Sequence, residues 1–108
     1  MAAENKLYPI LRLCRKAGKI VLGSERVMER ALSGEVSLIL LSRDLSPRSV
    51  RRMTEFAQKA DIPLIQTELS MDEIEFILAK RSGIAGITDK GFSEKIKSTA
   101  IQEEHNDK

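Results

Sequence analysis

The chain has 108 residues, of which 42% are apolar and 31% are charged, and its formal net charge is +2. A chain of this length makes about one domain, because domains cluster near about 100–150 residues. It has no apolar run near the roughly 18 residues that a membrane span requires. Its first residues also lack the basic-then-apolar order of a secretion signal, so we expect a cytoplasmic protein with no membrane partner.

Helical and extended segments alternate along the first part of the chain. A helix over residues 5–18 has an apolar stripe on one side and basic residues on the other, namely Arg12, Arg15, Lys16 and the adjoining Lys19. A strand follows at residues 20–22. A turn at Gly23, with Ser24 as the N-cap, then opens a second helix from Glu25 to about Ser33.

The middle of the chain contains the most apolar strand. Residues 36–42 include consecutive apolar side chains, as expected for a strand covered on both faces, so we place it near the centre of the sheet. Ser46 as the N-cap and Pro47 in the first turn predict a third helix after it.

The remaining segments complete the pattern of one layered α/β domain. Residues 63–67 form the third predicted strand, and Ser70 and Glu73 have the spacing of a capping box, which opens a fourth helix. A strand over residues 84–88 and a helix from about Gly91 to Ile96 end the domain, which we assign to residues 1–97. Residues 98–108 are polar, and we expect them to form a disordered tail.

The single cysteine and the single histidine exclude several kinds of site. Cys14 has no second cysteine for an intrachain disulfide, and together with His105 it supplies too few ligands for a common zinc site. His105 lies in the polar tail, which argues against a histidine-based triad. We expect no catalytic residue, metal or cofactor, and we interpret Cys14 as a core residue, with a reactive thiol as the alternative.

Other ligand classes are equally poorly supported. Lys19 and Lys90 each adjoin a glycine, but neither has the order of a phosphate-binding loop, so no small-molecule substrate is expected. Aromatic residues make up 4% of the chain, with one tyrosine and no tryptophan. A platform on which single-stranded bases stack is therefore hard to build.

Basic residues concentrate in the first half of the chain. Residues 1–52 carry eleven Lys and Arg against five Asp and Glu, whereas residues 53–108 carry seven against eleven. A surface built from the first half would attract a polyanion, because salt limits the reach of each charge to about 10 Å. The alternative is that these charges lie on solvated helix faces.

Four blocks of sequence together resemble a known family. They are ILRLCRKAGKIVLG at residues 10–23, LILLSRD at 38–44, IPL at 62–64 and GIAGITDKGF at 83–92. In their order and spacing, from Leu7 to about Lys97, they are similar to the ribosomal protein L7Ae/L30e superfamily, and within it to the small bacterial YlxQ-like branch.

This resemblance implies a fold, a partner and a site. The fold is a three-layer α/β/α sandwich with a four-stranded mixed sheet, and the partner is structured RNA, commonly a kink-turn, which is a sharply bent internal loop with sheared G·A pairs. By position, one part of the site is Gly23, Ser24, Glu25, Arg26 and Glu29. The other part covers an extruded base and consists of Ser82, Gly83, Ile84 and Ala85.

The start of the second helix departs from the family pattern. Kink-turn binders of this family typically read Gly-Thr-Asn-Glu-x-x-Lys, whereas this chain has Glu25, Arg26 and Glu29 at the last three fixed positions. An ionised Glu25 accepts hydrogen bonds but donates none, and Glu29 repels phosphates. Arg26 and Arg30 offer compensating donors, so we expect RNA binding with altered specificity.

Our main hypothesis is a non-enzymatic protein that binds structured RNA, either ribosomal RNA or a kink-turn. The phosphates would be positioned by four basic residues, Lys19, Arg26, Arg30 and Arg43. Ser24 and Glu25 would face bases, and Ile84 with Ala85 would shield an unpaired base. The alternative is a protein-interaction or ribosome-assembly module that kept the fold and changed its recognition surface.

Overall fold

The computed structural model describes the backbone of residues 6–106 and the side chains of residues 6–100. Within that range helices and strands alternate from one end to the other. The helices are α1 (Leu7–Lys16), α2 (Ser24–Leu32), α3 (Pro47–Ala60), α4 (Met71–Leu78) and α5 (Lys90–Asn106). The strands are β1 (Ile20–Leu22), β2 (Leu38–Leu41), β3 (Leu64–Gln66) and β4 (Ile84–Ile87).

The four strands form one mixed sheet in the order β1-β4-β2-β3. Strand β4 runs antiparallel to both β1 and β2, whereas β2 and β3 are parallel. Every side chain of β2 and β4 is buried, because both strands have a neighbour on each side and helices on both faces. The expectation that the second strand lies near the centre of the sheet is confirmed.

Helices cover both faces of the sheet, which gives three layers. One core lies between the sheet and α1, α4 and α5, and it includes Leu11, Leu38, Ile77, Ile87 and Ile96. The other core lies between the sheet and α2 and α3, and it includes Val27, Ile39, Leu41, Met53 and Ile84. The three-layer α/β/α sandwich with a mixed sheet is therefore confirmed.

Two helix starts follow directly from local sequence signals. At α3 the Ser46 hydroxyl accepts a hydrogen bond from the Ser49 N–H (3.2 Å), and Pro47 occupies the first turn. At α4 the Ser70 hydroxyl accepts the Glu73 N–H (3.1 Å), while the Glu73 carboxylate accepts the Ser70 N–H (2.8 Å). Both predicted caps, including the reciprocal capping box, are confirmed.

The second and last helices differ from the expected boundaries. Helix α2 already includes Ser24, and its N-cap is Gly23, whose φ of 100° is open to glycine but unfavourable for other residues. Helix α5 continues through Asn106, so residues 98–106, which we expected in a disordered tail, are helical. Ile96 and Thr99 are buried, so this part of α5 packs against the rest of the domain.

Some expectations concern residues outside the described range. Residues 1–5 of the assigned domain and residues 107 and 108 of the predicted tail lie outside it, as does the side chain of His105. Among the described residues, none of the helices is both long enough and apolar enough to cross a lipid bilayer.

Candidate nucleic-acid interface

The junction between β1 and α2 is tied to the start of β4. The Gly23 N–H donates a hydrogen bond to the Ile84 carbonyl (3.0 Å), and Leu22 lies opposite Ala85 in the sheet. The Ser82 hydroxyl donates to the same Ile84 carbonyl (2.9 Å) and accepts the Ile84 N–H (3.2 Å). The two segments that the family resemblance assigns to RNA therefore meet at one end of the sheet.

The first turn of α2 offers unpaired amides at this end. No side chain caps the helix, because its N-cap is glycine, so the first N–H groups of the helix have no intrahelical acceptor. Amides in this arrangement, together with the helix dipole, favour an anion such as a phosphate. The exposed Glu25 occupies the same turn and competes for this position with its own negative charge.

Close packing fixes the backbone before β4. A Cβ added to Gly83 would lie 2.7 Å from Leu45 Cδ1 and 3.0 Å from Ser42 Oγ. A larger residue there would therefore require the Leu45 side chain to move. The Ser42 N–H also donates to the Gly83 carbonyl (2.9 Å), which sets the distance between these two loops.

Ile84 and Ala85 belong to β4 and face the interior. They are 8% and 4% exposed, and their side chains enter opposite cores. Neither side chain is on the surface, where a base would have to lie, which differs from the role that the resemblance implies for them. The cause is that β4 begins at Ile84, one residue after Gly83, so the surface loop consists of earlier residues.

Arg43 lies at the same end of the sheet, in the loop after β2. Its side chain is exposed, and its N–H donates to the Leu69 carbonyl (2.7 Å). Asp44 next to it accepts the Met71 N–H (3.0 Å). Desolvation would raise the pKa of Asp44, but the nearby Ser42 hydroxyl, the N–H groups of Met71 and of Asp44 itself, and the Arg43 charge lower it overall. The loop therefore keeps one negative charge beside Arg43.

Lys19 and Arg30 lie away from this end. Lys19 precedes β1 and pairs with Thr88 through its carbonyl, whereas Gly23 follows β1, and a strand of this length separates them by about 13 Å. Arg30 is in the last turn of α2, and its guanidinium holds the Glu35 carboxylate through Nε and Nη2, both at 2.8 Å. Glu29 is exposed in the middle of the same helix.

A groove along the open edge of β1 brings three other cations together. Arg15 from the end of α1, Arg26 from α2 and Lys80 from the loop after α4 line it, above Ile20, Val21, Leu22 and Leu78. We call this surface the basic groove. Within the described residues, none of its three cations has a carboxylate within ion-pair distance.

Backbone donors add to the basic groove. The Gly23 N–H bonds to the Ile84 carbonyl, and the Thr88 N–H bonds to the Lys19 carbonyl. In an antiparallel pair every second residue faces its neighbour strand, so the N–H groups of Ile20 and Leu22 point away from β4. These groups therefore face the groove together with the three cations. The chemistry of this surface suits a phosphate backbone, because it combines positive charges with hydrogen-bond donors, and no carboxylate of the described residues pairs with those charges.

Sequence reasoning missed Lys80 and did not place Arg15 in the site. Lys80 and Arg81 stand together between α4 and β4, a signal that was available in the sequence. Arg81, however, forms ion pairs with Asp72 and Glu75 of α4, and the Asp72 carboxylate raises the pKa of its guanidinium. Of these two neighbouring residues, Lys80 lines the basic groove and Arg81 does not.

Comparisons with known proteins agree with this fold. The sequence profile described as "Ribosomal protein L7Ae/L30e/S12e/Gadd45 family" matches residues 5–97. The RNA-binding protein YlxQ of Bacillus subtilis is 25% identical over 89 residues, which are 82% of this chain and 89% of that protein. The RNA-binding protein YlxQ of Enterococcus faecium is 23% identical over 94 residues, 87% of this chain and 90% of that protein.

Solved structures of similar shape extend the comparison. A Bacillus halodurans protein of unknown function superposes with a TM-score of 0.83 at 23% identity, covering 90% of this chain and 98% of that one. A Giardia lamblia 15.5kD RNA binding protein superposes with a TM-score of 0.72 at 12% identity, covering 89% and 82%. These two show the shared fold, and the profile match over most of the chain shows that this chain belongs to the L7Ae/L30e/S12e/Gadd45 family, in its YlxQ-like branch.

Proposed function

We propose that this protein binds structured RNA through the basic groove and the adjoining first turn of α2. The observation that carries the proposal is the convergence of Arg15, Arg26 and Lys80 on the open edge of β1. These residues come from three separate parts of the chain, and the fold alone brings them together. The names of the two YlxQ relatives support the same ligand class.

The RNA that we propose as the target is a kink-turn, in ribosomal or other cytoplasmic RNA. A sharply bent internal loop exposes base edges that the narrow major groove of regular A-form RNA hides. The exposed first turn of α2 is of a size to enter such a widened groove, where Ser24 and Glu25 would meet the bases. No catalytic step is part of this proposal, because binding alone accounts for the surface.

Filter binding with two RNAs tests the proposal. One RNA carries a kink-turn, and the other has the same length with its sheared G·A pairs replaced by Watson–Crick pairs. We expect tighter binding to the kink-turn, and an affinity that falls with salt at a log–log slope of about −2 to −3, because about three cations contact phosphates.

The outcomes separate the two levels of the proposal. Equal affinity for both RNAs, with the same salt dependence, would remove kink-turn specificity and leave general RNA binding. Failure to bind either RNA would contradict RNA binding itself. Binding that is independent of salt would contradict the role of the basic groove.

A second candidate function is favoured by one observation. The carboxylates Glu25 and Glu29 stand on the exposed part of α2, where a phosphate backbone would be repelled. A protein partner would tolerate them, as in a ribosome-assembly module. Capture of the same partners before and after nuclease treatment of a cell extract would support this candidate, and loss of every partner after nuclease would contradict it.

A further inference from the structure

Two aromatic rings lie side by side on the surface formed by α1 and α4. Phe76 is 71% exposed, and its ring centroid is 6.4 Å from that of Tyr8, with the planes tilted by 47°. The Arg12 guanidinium lies over the Phe76 ring, 5.4 Å from its centroid. Single exposed apolar residues are common on proteins, but an exposed ring that carries both a second ring and a cation is an organised surface.

This surface is positively charged. Arg12, Arg15 and Lys16 line a groove with Phe76 and Ile77, and we call this surface the α1–α4 face. Among the described residues, none of its three cations has a carboxylate within ion-pair distance.

Among the described residues, the acidic residues of α4 form no ion pair with the cations of the α1–α4 face. Asp72 and Glu75 hold Arg81. Glu73 accepts the Ser70 N–H at the start of its own helix, and its carboxylate also lies next to Tyr8, where burial and then this charge raise the pKa of the phenol. The cations of α1 therefore remain available to a ligand.

The α1–α4 face is continuous with the basic groove. Arg15 lines both surfaces. An RNA backbone that lies along the basic groove and continues past Arg15 therefore reaches Lys16, Arg12 and the exposed ring of Phe76.

We propose that single-stranded nucleotides flanking the structured RNA bind along the α1–α4 face, with one base stacked on Phe76 and phosphates at Arg15 and Lys16. Unpaired bases stack on aromatic rings and on guanidinium planes, and the face offers both. Stacking on a ring tolerates any base, whereas the cations fix the path of the backbone. This inference rests on the proposed function, since the structured part of the RNA brings the flanking nucleotides to the face.

The composition of the chain concealed this surface. A content of 4% aromatic residues argues against a stacking platform, yet the fold places Tyr8 and Phe76 from different helices next to each other. The platform is small, so we expect it to hold one base and not a series.

Fluorescence anisotropy with labelled kink-turn RNAs tests the inference. One RNA is blunt-ended, and two others carry six unpaired uridines at the 5′ or the 3′ end. We expect the wild-type protein to bind at least one extended RNA about tenfold more tightly than the blunt RNA, which equals about 1.4 kcal/mol. Phe76→Ala should remove this gain and leave the affinity for blunt RNA within about twofold.

Matched variants identify the ring as the cause. Leu32 is 77% exposed on α2, so Leu32→Ala removes a comparable apolar side chain elsewhere and should keep the gain. Phe76→Trp should keep it too, because an aromatic face remains, whereas Phe76→Leu should lose most of it.

Each outcome decides between the two proposals. If the wild-type protein binds blunt and extended RNAs equally, the role of the α1–α4 face is contradicted while RNA binding stands. If Phe76→Ala weakens all three RNAs by the same factor, Phe76 does not act on the flanking nucleotides and the inference fails. If the wild-type protein binds none of them, the proposed function fails, and the inference fails with it.

Discussion

Arginine residues of the same helix differ in what they can offer to RNA. Arg30 already holds Glu35 through two nitrogens, whereas Arg26 lines the basic groove without a carboxylate partner among the described residues. A group that is already paired gains less from a phosphate, because the existing contact must first be broken. The two residues, four positions apart on α2, therefore form a natural comparison.

Arg26→Ala should weaken RNA binding about fivefold to tenfold, whereas Arg30→Ala should change it by less than about twofold. Fluorescence anisotropy at fixed salt measures both affinities. The salt slope should also become shallower by about 1 for Arg26→Ala alone, because one phosphate contact is lost. Equal losses for the two variants would show that the Glu35 pair opens on binding and would contradict this distinction.

Cys14 is a second residue whose surroundings decide its chemistry. It is fully buried in the core of α1, α4 and α5, and burial, followed by the Asp89 charge, raises the pKa of its thiol to about 11. At neutral pH the side chain is therefore the thiol and not the nucleophilic thiolate. This agrees with its interpretation as a core residue and argues against a reactive cysteine.

The raised pKa predicts how stability depends on pH. The ordinary value is 9.0, so the contribution of the neutral thiol is complete below about pH 9 and is lost as the pH rises toward about 11. The loss should reach about 2–3 kcal/mol. Urea unfolding of the wild-type protein and of Cys14→Ala between pH 8 and 11 measures this loss. The difference in unfolding free energy between the two proteins should become smaller as the pH rises, whereas the titration of lysine and tyrosine side chains affects both proteins equally. Parallel pH curves would contradict the burial of this thiol.

At the scale of elements, α4 contributes to both proposed surfaces. It presents Phe76 to the α1–α4 face, and Lys80 follows its last turn at the basic groove. Its start is fixed by the reciprocal bonds of Ser70 and Glu73, and the Met71 N–H is held by Asp44 across the loop after β2. The orientation of this short helix thus depends on its first turn.

Ser70→Ala should lower the free energy of unfolding by about 1 kcal/mol, because the Glu73 N–H loses its acceptor. Ser98→Ala is the matched control: Ser98 is exposed within α5, where alanine is a better helix former, so no loss is expected. Urea denaturation curves measure both variants. A loss below about 0.3 kcal/mol for Ser70→Ala would mean that the capping box contributes little to this helix.

Element boundaries were predictable where the signal is local. Pro47, Ser70 and Glu73 specify helix starts through bonds within a few residues, and the apolar run of β2 required burial on both faces. The end of α5 was not predictable in this way. Polar residues with good helix propensity look the same in a helix that leaves the domain as in a disordered tail.

At the scale of the whole molecule, the surfaces depend on tertiary structure that no local pattern reveals. Arg15, Arg26 and Lys80 are far apart in sequence, and the order β1-β4-β2-β3 brings them together. The resemblance transferred the order of Ile84 and Ala85 in the sequence, but it did not reveal that both side chains are buried in their strand. The concentration of cations in the first half was visible in the sequence, but their pairing with carboxylates was not.

The pairing of β1 with β4 has a consequence for the newly made chain. Strand β1 is synthesised before β4, its neighbour in the sheet, so the contacts that join them are distant in sequence and form slowly. A nascent polypeptide that has emerged only as far as α3 carries most of the positive charge without the anchor for Gly23 or the contribution of Lys80. A chain that stops after α3 therefore lacks two parts of the proposed RNA site, and we expect it to bind RNA less tightly than the folded domain.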